Sequence, residues 1–139
     1  MQTREHLLTY GVISAEQVRE AKELAVKLVE ANLAEFTDRF PDSNSSGNFY
    51  PQTDNVEWTT GFWTGQIWLA YEETCREESH AAEEAKEALR HAGEVQVESF
   101  LDRIMRRVDV DHHDMGFLYS PSCVAAYMLT GNETAKRCV

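Results

Sequence analysis

Residues 14–36 read SAEQVREAKELAVKLVEANLAEF, and this pattern is typical of a long amphipathic helix. Ser14 can cap the free amides of the first turn, and Gln17 completes a capping box. Apolar side chains follow at steps of three and four, interrupted by one polar residue: Val18, Ala21, Ala25, Leu28, Asn32 and Phe36. This spacing predicts a stripe that faces a core on a helix that Pro41 ends.

The rest of the chain repeats the helical pattern. Further helices are predicted at about 62–78, at about 79–108 with Ser79 as the cap, and at about 121–129. Asn132 can cap another helix near the end of the chain. No segment shows convincing strand alternation. The predicted class is therefore all-α, with antiparallel helical hairpins stacked side by side.

Two features of these helices concern packing. The side chains predicted to be buried on the second helix are Phe62, Trp63, Ile67, Ala70 and Tyr71, with Trp68 also in the core. Gly93 interrupts the third helix, where glycine costs about 1 kcal/mol relative to alanine. Close packing against a neighbouring element would explain a glycine at this position.

Composition narrows the class of protein. Of the 139 residues, 42% are hydrophobic and 27% charged, which is typical of a single globular domain. The formal net charge is −11. Such a surface repels phosphate backbones and anionic lipids, so nucleic-acid and membrane partners are not expected.

The sequence also bears on the compartment. The N-terminal residues MQTREH lack the apolar core of a signal peptide, and no apolar run approaches the roughly 20 residues of a membrane helix. Cys75, Cys123 and Cys138 are odd in number and share no CxxC spacing, so neither a disulfide framework nor a zinc site is indicated. These features predict a cytoplasmic protein.

Two loops carry most of the chemically interesting side chains. They span 49–61 and 109–121, and each precedes a predicted helix of the same sense. In a stack of hairpins such loops lie on the same rim. We therefore expect the two loops to build one site.

The loop 109–114 has three open interpretations. Its sequence, DVDHHD, holds three carboxylates and two imidazoles. Oxygen and nitrogen ligands of this kind suit several divalent metal ions, although adjacent histidines point different ways in most backbones. The same residues could instead serve acid/base or substrate-binding roles, or form a solvated loop in which an aspartate caps the next helix.

The segment 55–63, NVEWTTGFW, suits a sugar platform. An indole face packs against the C–H side of a pyranose while neighbouring polar groups bond its hydroxyls. Tryptophans in such a cluster more often build core, and Trp63 and Trp68 are assigned there. Trp58, which precedes the helix, is the one predicted to meet a ligand.

Taken together, these segments resemble the unsaturated glucuronyl hydrolases, glycoside hydrolase family 88. The stretches that carry the resemblance are DNVEWTTGFWTG at 54–65, IWLAYE at 67–72 and DHHDMGFLYSPS at 111–122. The similarity runs from about Ile13 to the end of the chain. Two long motifs in order, at the expected separation, make it specific.

The resemblance implies an (α/α)6 toroid of six helical hairpins, of which residues 1–139 would be the N-terminal part of one catalytic domain, only the first two hairpins or so. These enzymes remove a 4,5-unsaturated uronic acid from oligosaccharides made by polysaccharide lyases. An aspartic acid protonates the vinyl-ether double bond, water adds at the ring, and the hemiketal falls apart. Asp114 matches one of two important aspartates, and Trp58 and His113 match residues lining the sugar subsite. No cofactor or metal is implied.

The resemblance also predicts what this stretch lacks. The family's second aspartate, which is the acid/base itself, belongs to a block beyond these residues. Asp114 alone cannot perform general acid/base work that needs a second positioned group. We therefore expect these residues to be inactive alone and to expose apolar helix faces, with self-association as the consequence.

Three alternatives stay open. An unsaturated rhamnogalacturonyl hydrolase would share the fold and the reaction but prefer a different neighbouring sugar. An all-helical metal-dependent phosphohydrolase could use His113 and Asp114, although His80 and His91 are poor candidates for its further ligands. A non-catalytic truncated product is the third.

Overall fold

The computed structural model describes residues 12–139, so the N-terminal stretch assessed above for a signal peptide lies outside the described part. The elements in chain order are α1 Ala15–Phe36, β1 Phe40–Pro41, β2 Gln52–Thr53, α2 Thr60–Thr74, α3 His80–Met105, α4 Met115–Tyr119, a π-helical turn Ser120–Val124, α5 Ala125–Thr130 and α6 Glu133–Lys136. The strands form one short antiparallel pair. The predicted all-α class is confirmed.

Helix α1 begins with the predicted capping box. The amide of Gln17 donates to Ser14 Oγ at 3.1 Å, and the amide of Ser14 donates to Gln17 Oε1 at 2.9 Å. These two bonds satisfy amides that the first turn leaves free. The predicted start of α1 is therefore confirmed.

The end of α1 is set by tertiary contacts. The buried side chain of Gln96 on α3 donates to the carbonyls of Phe36 and Thr37 at 3.0 and 3.1 Å, and Trp63 Nε1 donates to the Phe36 carbonyl at 2.8 Å. Because these donors satisfy carbonyls that the last turn leaves free, α1 ends at Phe36. Pro41, predicted to end the helix, lies in β1 instead.

The predicted buried stripe of α1 is wrong. Val29 and Phe36 are buried, and Val26 and Leu33 pack beside them against the core, whereas the predicted stripe is exposed except at Phe36. The observed face is rotated from the predicted one, which includes Leu28. Two apolar faces overlap on this helix, and only the position of α2 and α3 selects between them.

Helices α2 and α3 enclose the core. Fully buried side chains of both helices meet there, and Trp68 lies directly over Gly93. A Cβ on Gly93 would stand 2.4 Å from Cζ2 of Trp68, so only glycine permits this packing. The close-packing explanation of Gly93 is confirmed. The predicted burial of Phe62 is wrong, because its side chain lies on the exposed side of α2.

The last helical region is longer than the predicted 121–129. It starts at Met115 and runs through a π-helical turn in which the amide of Ala125 donates to the Ser120 carbonyl. Pro121 within this turn has no amide proton, so a wider turn is a local solution to the missing donor. Gly131 ends α5 in the left-handed region, and Asn132 caps α6 as predicted.

Across residues 12–139, no helix combines the length and the apolar character that crossing a bilayer requires.

Candidate functional site

The two chemically interesting loops meet where α2 and α4 begin. A Cβ on Gly61 would stand 2.3 Å from the carbonyl oxygen of Phe117 and 2.5 Å from that of Leu118. A side chain at position 61 would therefore push the start of α4 away. The absence of a side chain at Gly61 brings the loops 49–61 and 109–121 to one rim, as predicted.

The buried side chain of Arg103 on α3 makes hydrogen bonds to both loops. Its side chain is 1% exposed. One guanidinium nitrogen, Nη1, donates to Asn55 Oδ1 and to the carbonyl of Glu57, each at 3.0 Å. Nε and Nη2 donate to the carbonyls of Val108 and Asp109, each at 3.1 Å. The guanidinium thus holds backbone of both loops at fixed positions.

Burial shapes the electrostatics around Arg103. Removal of the guanidinium from water lowers the pKa of Arg103 from its ordinary value. Six polar acceptors nevertheless surround it, including Thr60 Oγ1 and Asp109 Oδ2, each at 3.4 Å. No motif singles out Arg103 in the sequence. Its one signal is its place three residues after Phe100, on the apolar side of a helix where a charge needs a buried partner.

The turn before α2 is fixed by its own side chains as well. Thr60 Oγ1 donates to Asn55 Oδ1 at 2.8 Å and lies 3.0 Å from the carbonyl of Glu57. Asn55 Oδ1 therefore accepts from both Thr60 and Arg103. This turn presents Trp58 at the surface, with 46% of its area exposed. The predicted core role of a clustered tryptophan therefore does not apply to Trp58, and its contact with a ligand stays a prediction.

Trp58 does not stand alone. Its ring lies edge-on to Phe62, with ring centroids 6.0 Å apart, and Phe62 lies 5.7 Å from Phe117 by the same measure. All three rings are exposed. Together Trp58, Phe62 and Phe117 form what we call the aromatic ledge, which spans both loops. Phe62 and Phe117 were not expected at the site, because the apolar pattern assigns Phe62 to the core.

The backbone between α3 and α4 takes an unusual path. Arg107 and Asp109 both have positive φ, 56° and 45°. Non-glycine residues in this region cost of order 1–3 kcal/mol each, and the surrounding structure must hold them there. The bonds from Arg103 to the carbonyls of Val108 and Asp109 do so.

His112 holds the end of this loop. Its ring is half-buried, its Nδ1 accepts from the amide of Asp114 at 3.2 Å, and its Nε2 lies 3.1 Å from the carbonyl of Asp109. An acceptor at Nδ1 and a donor at Nε2 define the tautomer with its proton on Nε2. The position of His112 in the HisHis pair gives no hint of this role, which depends on the fold of the loop.

Asp114 and His113 lie side by side at the start of α4. The Asp114 carboxylate is half-buried, while His113 has 90% of its side chain exposed. His113 Nε2 lies 3.3 Å from Asp114 Oδ1. The carbonyl of Asp114 accepts from the amide of Phe117 at 2.8 Å, but its side chain caps no amide. The interpretation in which an aspartate of this loop caps the next helix is therefore wrong for Asp114.

A metal interpretation of this loop needs several converging ligands. Among residues 12–139, no group of three or more His, Cys, Asp or Glu side chains is arranged to hold a metal ion.

Comparison with curated proteins gives a consistent set of relatives. The chain is 40% identical over 132 residues to the unsaturated chondroitin disaccharide hydrolase of Streptococcus pneumoniae, covering 95% of this chain and 31% of that protein. It is 38% identical over 113 residues to the unsaturated glucuronyl hydrolase of Bacillus sp. GL1, covering 81% and 27%. No family model matches the sequence.

The fold gives the same result. The crystal structure of the unsaturated glucuronyl hydrolase from Streptococcus agalactiae matches with a TM-score of 0.82 at 36% identity, covering 99% of this chain and 32% of that one. The Bacillus enzyme matches with a TM-score of 0.70 at 38% identity, covering 82% and 28%. The chain thus spans about a third of the length of these proteins. It is homologous, over nearly all of its own length, to part of an unsaturated glucuronyl hydrolase, and its helices follow the toroid fold of that family.

Proposed function

We propose that this chain supplies one wall of the saccharide site of a hydrolase that releases 4,5-unsaturated glucuronic acid from lyase-generated glycosaminoglycan oligosaccharides. In this proposal residues 1–139 are the N-terminal part of one toroidal catalytic domain. The observation that carries it is the junction at Arg103, which holds the Trp58 turn and the Asp114 loop on one rim. An indole face and a carboxylate on the same rim suit a sugar ring that gains positive charge when its double bond is protonated.

Asp114 is the proposed catalytic residue. Its carboxylate is half-buried and caps nothing, and the bond from its amide to His112 fixes its backbone. A negative charge held there stabilises the positive charge that develops on the ring as the double bond gains a proton. The proton donor itself is a second aspartic acid that the family resemblance assigns to residues outside this chain.

Trp58 and His113 are the proposed substrate-binding residues. The exposed indole of Trp58 offers a flat apolar face to the C–H side of a sugar ring. The exposed ring of His113, beside Asp114, offers a nitrogen to a sugar hydroxyl. Both side chains reach solvent.

The ligands in solved complexes of relatives indicate which sugar the proposed site recognises. A mutant of the Streptococcus agalactiae enzyme, 36% identical, was crystallised with dGlcA-GalNAc6S, and a related structure, 37% identical, holds dGlcA-Glc-Rha-Glc. The two ligands share the unsaturated glucuronic acid and differ in the sugar next to it. We therefore commit to the unsaturated uronic acid as the recognised group. The names of these relatives lend no support to the rhamnogalacturonyl or the phosphohydrolase alternative.

A chimaera tests the proposal. This chain would replace the third of the Streptococcus pneumoniae hydrolase that it matches, and the assay would follow loss of the ultraviolet absorbance of an unsaturated chondroitin disaccharide. We expect turnover by the chimaera and none by the 139-residue chain alone. A chimaera that folds cooperatively by circular dichroism but does not consume the disaccharide would contradict the proposal.

A further inference from the structure

The imidazole of His112 links the buried guanidinium of Arg103 to the backbone of Asp114. Its Nε2 lies 3.1 Å from the carbonyl oxygen of Asp109, which also accepts from Arg103 Nη2 at 3.1 Å. Its Nδ1 accepts from the amide of Asp114 at 3.2 Å. The ring therefore lies between a carbonyl that a buried charge holds and the residue whose carboxylate is proposed to stabilise the transition state.

These two contacts require one protonation state of the ring. With the proton on Nε2, the ring donates to the Asp109 carbonyl and accepts from the Asp114 amide. With the proton on Nδ1, two N–H groups would face each other at one end and two lone pairs at the other, so both bonds would be lost. Asp114 Oδ2 lies 3.8 Å from Nδ1, too far for a hydrogen bond that would favour this second form.

The bond to the Asp114 amide matters because the other bonds of this residue lie on its C-terminal side. The carbonyl of Asp114 accepts from the amides of Phe117 and Leu118 at 2.8 and 3.3 Å, in the first turn of α4. The side chain of Asp114 caps no amide of that helix. His112 is thus the group that fixes the peptide unit before Asp114. Without this bond the peptide unit can rotate and carry the carboxylate with it.

We propose that His112, in the form with its proton on Nε2, is a positioning residue that places the Asp114 carboxylate for the proposed reaction. This inference rests on the proposed function of Asp114 and adds the group that holds it. The neighbouring His113 has 90% of its side chain exposed, so the two histidines of the pair have different roles. Since a misplacement of about 1 Å can cost roughly 10²-fold in rate, loss of His112 should act mainly on kcat.

Two substitutions of similar shape separate the hydrogen bond from packing, in the chimaera described above. Asparagine and leucine branch alike at Cγ, but only asparagine offers an acceptor near the position of Nδ1. His112→Leu is expected to lower kcat roughly tenfold or more, with a smaller change in KM. His112→Asn is expected to have a kcat closer to that of the unsubstituted chimaera. Equal kcat values for the two variants, or a rise in KM without a fall in kcat, would overturn the proposal.

Nuclear magnetic resonance tests the same inference without an activity assay. Long-range ¹H–¹⁵N spectra of the 139-residue chain at about pH 8, where histidine is ordinarily neutral, show which ring nitrogen carries the proton. We expect the proton of His112 on Nε2. The Asp114 amide should be protected from hydrogen exchange in the parent chain and in His112→Asn, and less protected in His112→Leu.

The spectra also separate failure of this inference from failure of the proposed function. A proton on Nδ1, or equal protection of the Asp114 amide in the two variants, would overturn the inference even if the chimaera is active. If the chimaera is inactive and the spectra are as expected, the proposed function fails and the hold of His112 on Asp114 stands. If His112→Leu does not fold, the position of the ring proton in the parent chain still decides.

Discussion

The guanidinium of Arg103 on α3 donates to the side-chain oxygen of Asn55 at 3.0 Å, a bond between residues 48 positions apart in the chain. Asn55 also accepts from Thr60, and Arg103 also binds the carbonyls of Val108 and Asp109. The Trp58 turn and the Asp114 loop therefore depend on one buried charge. Loss of that charge should disturb stability and site geometry together.

Arg103→Met is expected to destabilise the chain by about 3 kcal/mol, because it leaves several buried acceptors without a donor. The measurement is the free energy of unfolding from urea titration followed by circular dichroism. Arg106→Met is the matched control. Arg106 lies on the same helix in an exposed pair with Asp102, so its loss should cost at most about 0.5 kcal/mol. Equal effects of the two substitutions would contradict the role of Arg103.

Sequence patterns predict the parts of this fold that depend on near neighbours. Caps at Ser14, Ser79 and Asn132 are confirmed because a cap is a bond between residues three positions apart. The buried face of α1 is not predicted, since it depends on where α2 and α3 lie. The end of α1 is also missed, because it rests on donors from Gln96 and Trp63, far along the chain.

The residues of the candidate site likewise divide into those that local sequence patterns predict and those that depend on distant contacts. Trp58 and Asp114 stand out in the sequence because unusual residue types cluster around them, and their contact with a ligand stays a prediction. The roles of Arg103 and His112 depend on a strained backbone path that no local pattern encodes. The aromatic ledge is missed for a further reason. Phe62 has the spacing of a core residue, but it projects toward the second loop.

The contact of Gly93 with Trp68 gives a stability prediction. Gly93→Ala places a methyl carbon 2.4 Å from the indole of a buried tryptophan, and overpacking of this kind costs about 1–3 kcal/mol. Gly116→Ala is the control. A Cβ on this other helical glycine meets nothing within 4 Å, so alanine should stabilise by about 0.5–1 kcal/mol. Urea unfolding of both variants measures whether each substitution lowers or raises the free energy of unfolding. A stabilising Gly93→Ala would refute the packing argument.

An open apolar groove of about 540 Å³ between α1 and α2 bears on self-association. Leu28 and Leu69 line it and are 54% and 67% exposed. We expect the 139-residue chain to dimerise through this groove at high concentration, when salt screens the net charge. Leu28→Glu should weaken the dimer at least about tenfold, since a buried leucine contributes more than 1.4 kcal/mol.

Sedimentation equilibrium measures this dimerisation. Leu24→Glu provides the control, because Leu24 is an exposed leucine of the same helix that does not line the groove. Leu24→Glu makes the same change of charge as Leu28→Glu and is expected to leave the dissociation constant of the dimer unchanged. A monomer at all concentrations, or equal weakening by both substitutions, would rule out the groove as the dimer contact.

Tyr119 gives stability a dependence on alkaline pH. Burial raises its pKa from the ordinary value of 10.0 to about 12. The protonated phenol therefore contributes stability in full below about pH 10, and this contribution is lost as pH rises through about 12. Tyr119→Phe removes that dependence. Its hydroxyl has no hydrogen-bond partner in the described residues, so the variant should be about as stable as the parent near pH 8.

The measurement is the free energy of unfolding of parent and variant at about pH 8 and about pH 11. The free energy of unfolding of Tyr119→Phe should increase relative to that of the parent as the pH rises. Other groups titrate in both proteins and cancel in this difference. A difference that is the same at both pH values would show that Tyr119 does not contribute the alkaline loss.

Asp114 gives the sharpest test of the chemistry, in the active chimaera described above. Asp114→Asn keeps the shape of the half-buried side chain and the hydrogen bond from the backbone amide of residue 114 to His112, but it removes the negative charge. Because electrostatic stabilisation of the transition state is worth several kcal/mol, kcat should fall roughly 10²-fold or more, with a smaller change in KM.

Trp58→Ala should instead raise KM, since a stacking platform binds substrate and transition state alike. Asp111→Asn, an exposed aspartate of the same loop, is the matched control and should leave both constants near those of the chimaera. Melting temperatures of all the variants would exclude unfolding as the cause. Turnover by Asp114→Asn at the rate of the unsubstituted chimaera would remove this loop from the catalytic machinery, even if the disaccharide still bound.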